Sequence, residues 1–409
     1  MKLKKYLTES LVYWNSEKED NTCGCALKKA LNNWQLPRRT NLNINSSSIE
    51  NGYWKPESIA EYLQDLYPNS EGKSPYLKWD KVDNAKAYVV LINDWEAANV
   101  IGTPFLHWLV ANLETNELEL NASKLNPSLE QGFNSLASSK LTRITDQEQA
   151  KKEALKHVNY TGPGAPDTSH NYEISVYALS EKLDLPKPFY YADLHKAMHG
   201  KIIAWDSISA KLKHPNDKIN YHYFDFFAPT KKYSYEPIII KSKSVDEANY
   251  LDSKNAYKDD APSLELSWTK VKDANYYSLV LMNNEAKSIT DGNPFINWLV
   301  TNIDQNYLEE NASLLSKKIV QGHSSASRNF EFKAYNPPYL DDRDLVDHEG
   351  DRYHGPISES EETTYTIYLY AHQEKLNLKQ GFKLGSFSRE LHGKVLSEGI
   401  YFFKVKKAN

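Results

Sequence analysis

The sequence predicts a mainly β chain in which one Greek-key β-sandwich domain occurs twice in tandem, with a few peripheral helices. Three observations carry that expectation. The length of 409 residues is too great for one ordinary core and suits two. A set of short motifs returns in the same order at a nearly constant offset. Apolar runs of strand length are rich in Val, Ile, Tyr, Phe and Trp, as half-buried pleated surfaces prefer.

The repeat is direct. Pro104-Phe105-Leu106-His107-Trp108-Leu109-Val110-Ala111-Asn112 returns as Pro294-Phe295-Ile296-Asn297-Trp298-Leu299-Val300-Thr301-Asn302, at an offset of 190. Upstream, the segment ending in Leu77-Lys78-Trp79 is echoed by Leu266-Ser267-Trp268 at 189. Downstream, Gln131-Gly132 recurs as Gln321-Gly322 at 190, and Gly162-Pro163 as Gly355-Pro356 at 193. The stretch Leu194 to Lys201 matches Phe387 to Lys394, again at 193. An ordered series with so little drift is a domain duplication, and units of this size each need their own core. The expected organisation is an N-terminal helical extension over 1–35, a first domain over 36–217 and a second over 218–409.

Within the first copy, strands are expected over Ala87–Ile92, Phe105–Leu113, Tyr172–Leu179 and Lys201–Leu212. The second copy offers Tyr277–Met282, Phe295–Ile303, Tyr365–Tyr370 and Val395–Val405. Long connections between them favour a Greek key over a meander. Helices are expected over Pro56–Leu66, with proline in the first turn, over Asp146–His157, and over Asp193–His199, closed by Gly200. A short amphipathic helix fits Ala26–Leu31, and the aromatic cluster Tyr221–Phe227 reads as a docking or edge strand after the polar linker.

The net charge of −5, from 49 basic and 54 acidic residues, gives no basic excess for nucleic acid. The only cysteines, Cys23 and Cys25, read as reduced thiols. The lysine-rich start lacks an apolar signal core, and no run approaches a membrane span, so a cytoplasmic location is expected. The Asn-, Lys- and Tyr-rich composition looks bacterial.

The first copy carries Asn93-Asp94-Trp95-Glu96-Ala97, then His107-Trp108, then Tyr160-Thr161-Gly162-Pro163-Gly164-Ala165-Pro166, then His170-Asn171-Tyr172. With Ser74-Pro75-x-Leu77-x-Trp79 ahead and Ala197-Met198-His199-Gly200-Lys201 behind, this series resembles the phosphatidylethanolamine-binding protein family, also called Raf kinase inhibitor-like proteins. The resemblance implies a β-sandwich with a small anion pocket. Asp94 matches the first aspartate of the family's Asp-Pro-Asp-Ala-Pro motif and Glu96 stands at the second. His107 matches the pocket histidine, Gly162 and Pro163 the Gly-Pro turn, and His170 and Tyr172 the His-x-Tyr pair. Trp95 and Ala98 replace the two motif prolines, and Ala165 replaces a proline of the turn. The chemistry is coherent without the family: imidazoles beside a carboxylate keep protons, and with a tyrosine hydroxyl and turn N–H groups they can bind an anion.

In the second copy Asn297 stands for His107, Thr363 for His170 and Asn283-Asn284-Glu285 for the Asp94 region, whereas Trp268, Trp298, Tyr365 and Gly355-Pro356 persist. That copy is expected to be structural or to serve interaction, and the two copies to pair as an internal pseudo-dimer, since bacterial members of the family commonly dimerise. His195 and His199 have the i, i+4 spacing of a metal pair, but no Glu adjoins His195, and both read as helix surface or cap residues. No cofactor and no metal are expected. The leading function is non-enzymatic binding of a phosphate-like or other small anion. The alternatives are a protein-interaction module inhibiting a kinase or protease, and a hydrolase using the Asp–His pair as general base.

Overall fold

The computed structural model describes residues 40–165, 167–215, 238–258, 261–286, 292–327, 349–358 and 360–407. The expected helix over Ala26–Leu31 and the aromatic cluster 221–227 lie outside the described residues.

Four long strands form the centre of the first copy: β1 (Ala87–Asp94), β2 (Phe105–Leu113), β3 (His170–Leu179) and β4 (Ile202–Leu212). Four more form the second: β5 (Tyr276–Asn283), β6 (Phe295–Ile303), β7 (Glu362–His372) and β8 (Val395–Lys406). The long strands run β4-β3-β1-β2 in one copy and β8-β7-β5-β6 in the other, so both sheets share one antiparallel order. The register between the central pair slips at Ile92/Asn93 in the first and Leu281/Met282 in the second, equivalent positions. Short strands extend the first sheet on both edges, and each copy adds a small separate sheet. Every residue of β1 is buried, which is why it reads as an apolar run and not as an alternation.

Each sheet has one face over a private core, built around Trp79, Trp108 and Tyr172 in the first copy and Trp268, Trp298 and Tyr365 in the second. The opposite faces are shared. Phe402 of the second copy enters the cluster of Leu109, Phe189 and Leu194, while Trp95 and Ala98 of the first enter that of Leu299, Tyr370 and Phe387. Each large apolar side chain removed from water in this way contributes about 1.5–3 kcal/mol. Trp95 and Ala98 hold the positions where the family motif has prolines, and here they pack against the other copy.

The helix α1 (Tyr191–Ala197) and its counterpart α2 (Leu384–Leu391) lie on these shared faces. The segment Gln147–Ala154 is helical and runs into a 3-10 turn at Leu155–His157. The helix Ser135–Arg143, capped by Asn134, has no counterpart in the sequence reading. Pro56–Leu66 is not one helix: two 3-10 turns, Pro56–Ser58 and Glu61–Leu63, flank extended backbone at Ile59 and Ala60. Ala60 N–H donates to Pro163 O there, a bond an unbroken helix would forfeit.

Candidate functional site

The register of the central strands gathers the polar residues at one end of the first sheet. Asp94 closes β1, His170 opens the adjacent β3, and Leu106, next to His107, pairs with Asn93. Beyond Asp94 the chain turns sharply. Asp94 Oδ1 accepts the N–H groups of Glu96 and Ala97 at 2.9 and 3.0 Å, which fixes the carboxylate. Its Oδ2 accepts from His170 Nδ1 at 2.7 Å.

His170 is fully buried and bridged on both sides, because Nε2 donates to Asp167 Oδ1 at 2.8 Å. Burial opposes a charge on the ring, but Asp94, Asp167 and Glu96 outweigh it and push the imidazole up to about 10. His170 is therefore an imidazolium at neutral pH.

His107 differs from the expectation that both imidazoles stay protonated. Burial pushes it down, and Asp94 only partly opposes this. Its Nδ1 donates to Thr161 O at 2.8 Å, a tautomer assigned from the carbonyl partner, while Thr161 N–H returns a bond to His107 O. The ring packs edge-on to Tyr172 at 5.1 Å between centroids. Tyr172, two residues after His170 on the same strand face, accepts from Gly164 N–H at 3.1 Å, which leaves the phenol hydrogen to donate. Gly162 is required by space: a Cβ there would stand 2.3 Å from the Ala60 nitrogen. Pro163 follows, its carbonyl bound by Ala60.

Asp94, His107, His170, Tyr172 and the Gly162-Pro163 turn thus converge. Glu96 does not join them. It is 2% exposed, its Oε2 accepts from Asn171 N–H at 2.8 Å, and its Oε1 accepts from Arg389 Nε of the second copy at 2.5 Å. Sequence reasoning missed Asp167, three residues before His170, and Glu173, whose carboxylate accepts from Trp95 Nε1 at 2.6 Å. Arg389 was missed as well.

The second copy has the same scaffold filled with neutral hydrogen bonds. Asn283 donates to the Tyr365 hydroxyl at 3.0 Å, and Tyr365 donates to Ile357 O at 2.7 Å. Asn297 donates to His354 O at 3.0 Å, as His107 does to Thr161. Thr363, at the His170 position, shares a bond with Ser358 at 2.9 Å. His354, at the Thr161 position, lies between the rings of Tyr257 and Phe295, and burial lowers it to about 4.

Contacts between the copies are reciprocal. Ser135 Oγ donates to Asn293 Oδ1, and Ser325, its counterpart, donates to Gly102 O. Glu96 meets Arg389 on α2. Its counterpart Glu285 meets the α1 side, with His199 Nε2 at 3.1 Å and His195 Nδ1 at 3.6 Å from Oε1. His195, expected at the helix surface or cap, is only 2% exposed because α1 docks on the second copy. Burial pushes His195 down to about 4 against the pull of Glu285. Burial also opposes charge on Glu285, but the two histidines hold it well below the usual carboxylate range.

A family model for phosphatidylethanolamine-binding proteins matches residues 46–213 and again 241–405. The chain belongs to that family and contains two tandem copies of its domain. It is 34% identical over 168 residues to the uncharacterized protein YxkA of Bacillus subtilis, covering 39% of this chain and 94% of that one. It is 28% identical over 141 residues to a UPF0098 protein of Methanothermobacter thermautotrophicus, covering 33% and 79%. Among solved structures, it is similar to Escherichia coli YbcL at 19% identity, with a TM-score of 0.33, over 42% of this chain and 99% of that one. A phosphatidylethanolamine-binding protein homologue from Chlamydia trachomatis is 21% identical, with a TM-score of 0.32, over 42% and 95%. Among the described residues no helix is long and apolar enough to cross a membrane.

Proposed function

We propose that the first copy, a Greek-key sandwich over 36–217, binds a phosphate-like or other small anionic group without turning it over. His170 supplies a fixed positive charge, Tyr172 a hydroxyl donor, and the Gly162-Pro163 turn a close-fitting wall. His107 is a neutral wall residue and Asp94 holds His170 charged and in place. The observation that carries this reading is the buried His170 ring, held between the carboxylates of Asp94 and Asp167 beside Tyr172. Asp167 is itself the anion that now satisfies Nε2, and its side chain is about one-third exposed. A ligand anion takes its place on the ring and releases Asp167 to water.

The second copy, over 218–409, is a structural partner in this reading. Its pocket positions satisfy one another with neutral groups, and its α2 face holds the first copy in an internal pseudo-dimer. Titrating inorganic phosphate into the full chain by calorimetry tests the proposal. One site per chain is expected, lost in His170→Gln and kept in Asn297→Ala. Equal binding by wild type and His170→Gln would overturn it.

A further inference from the structure

We infer that His195, His199 and Glu285 form a binding site for one divalent transition-metal ion, with two nitrogen ligands from the first copy and one oxygen ligand from the second. The ion would lie between the copies and tie them together.

The geometry comes from the end of α1 and the turn after β5. His195 is on α1, and His199 follows four residues later, just past its end, so both rings project toward the second copy. Glu285 lies two residues beyond β5. Its backbone N–H donates to Asn283 Oδ1 at 2.8 Å, and its Oε2 accepts from Thr364 N–H at 3.0 Å. Those two bonds leave Oε1 aimed at the histidines, a carboxylate oriented from behind as metal-binding carboxylates are. One donor atom from each residue lies within 4.8 Å of the other two.

The spacings suit a small ion. Zinc binds imidazole nitrogen and carboxylate oxygen at about 2.0–2.1 Å in a tetrahedron, which puts neighbouring ligand atoms about 3.3–3.4 Å apart. The observed 3.1 and 3.6 Å from Glu285 Oε1 bracket that edge. Two imidazoles and a carboxylate suit borderline divalent ions, not calcium or magnesium, which take all-oxygen sets. The side chains of His195 and Glu285 are 3% and 6% exposed and that of His199 is 15% exposed, and the facing atoms His195 Nδ1, His199 Nε2 and Glu285 Oε1 are all shielded from solvent. A fourth ligand, water or another small molecule, would enter with the ion.

The reciprocal position is occupied differently among the described residues. Glu96 is held in the same way, Oε2 on the N–H of Asn171, yet its Oε1 receives a guanidinium. At Glu285 the permanent cation is replaced by two imidazoles. Their spacing from Oε1 is that of neighbouring ligands on one metal ion.

The test uses the full chain, stripped with a chelator and titrated with Co(II), then Zn(II). One Co(II) per chain is expected, with intensified visible absorption of a four-coordinate N/O site that zinc abolishes. His199→Ala, at the least buried of the three residues, should weaken binding by at least about tenfold. Glu285→Gln should do the same while keeping the side-chain shape. The pair Cys23→Ser/Cys25→Ser should change neither affinity nor spectrum. A Co(II) spectrum unchanged from the hydrated ion would overturn the assignment and leave a histidine–carboxylate contact. So would equal affinity in wild type, His199→Ala and Glu285→Gln, or binding lost only with the cysteines.

Discussion

Arg389 of the second copy and Glu96 of the first form a salt bridge, Nε to Oε1 at 2.5 Å, between residues 293 positions apart. The guanidinium also reaches Ser169 O at 3.4 Å, next to His170. A single side chain of the second copy therefore touches both the turn after β1 and the residue just before β3. Its partner carboxylate is buried, and burial raises Glu96 even with Arg389 and His170 opposing.

Removing that cation strands a buried carboxylate. Arg389→Met should destabilise the chain by about 3 kcal/mol, as broken buried pairs do. Adding Glu96→Gln should restore most of the loss, because the uncompensated charge goes with it. Urea unfolding of both single variants and the double gives the coupling. Strict additivity would mean the pair does not act as one.

Stability of the first copy should fall with alkali. His170 has a folded value of about 10 against an ordinary 6.5, so its charge stabilises the fold fully below about 6.5. That contribution is lost as pH rises through about 10. Denaturant midpoints measured between pH 7 and 10 should slope downward in wild type and flatten in His170→Gln.

The second copy should also lose stability in acid. His354 and His372 are buried and held down to about 4, so they stay neutral in the fold. The unfolded chain takes up protons first, and stability falls as pH drops from about 6.5 toward 4. His372 is held by Ser278 at 2.8 Å and by Glu374 O at 2.6 Å. Hydrogen exchange of β5 and β7 should accelerate across that window, and less so in His372→Gln.

Asp167 sets a competition at the pocket. Asp167→Asn removes the carboxylate that occupies His170 Nε2, while Asp94 still holds the ring charged. Phosphate should bind the variant severalfold more tightly at pH 7. In wild type binding should fade as pH approaches 10, and in Asp167→Asn it should fade at a lower pH, because Asp167 helps to keep the ring charged. Weaker binding in Asp167→Asn would mean that Asp167 helps to hold the ligand.

The long strands were legible within a residue or three at each end, because β1 and β5 are covered on both faces and so appear as unbroken apolar runs. Pro56–Leu66 has the spacing of a helix, but the Gly162-Pro163 turn wedges against Ile59 and Ala60 and keeps them extended. The converging residues Asp94, His107, His170 and Tyr172 were visible from motif order. Glu96 was visible too, but its direction was not: the partner that turns it lies on a helix of the other copy. The same holds for His195, since no local pattern says which helix face will meet a second domain.

In a dimer of identical chains every substitution appears on both sides of the two-fold axis at once. A Glu–Arg contact on one side would have to be a Glu–Arg contact on the other. Here the equivalent carboxylates Glu96 and Glu285 meet a guanidinium and a pair of imidazoles, respectively. Joining the copies in one chain frees each half of the interface to vary alone, and dilution cannot part them. The seam can therefore differ at its two ends without losing its fit.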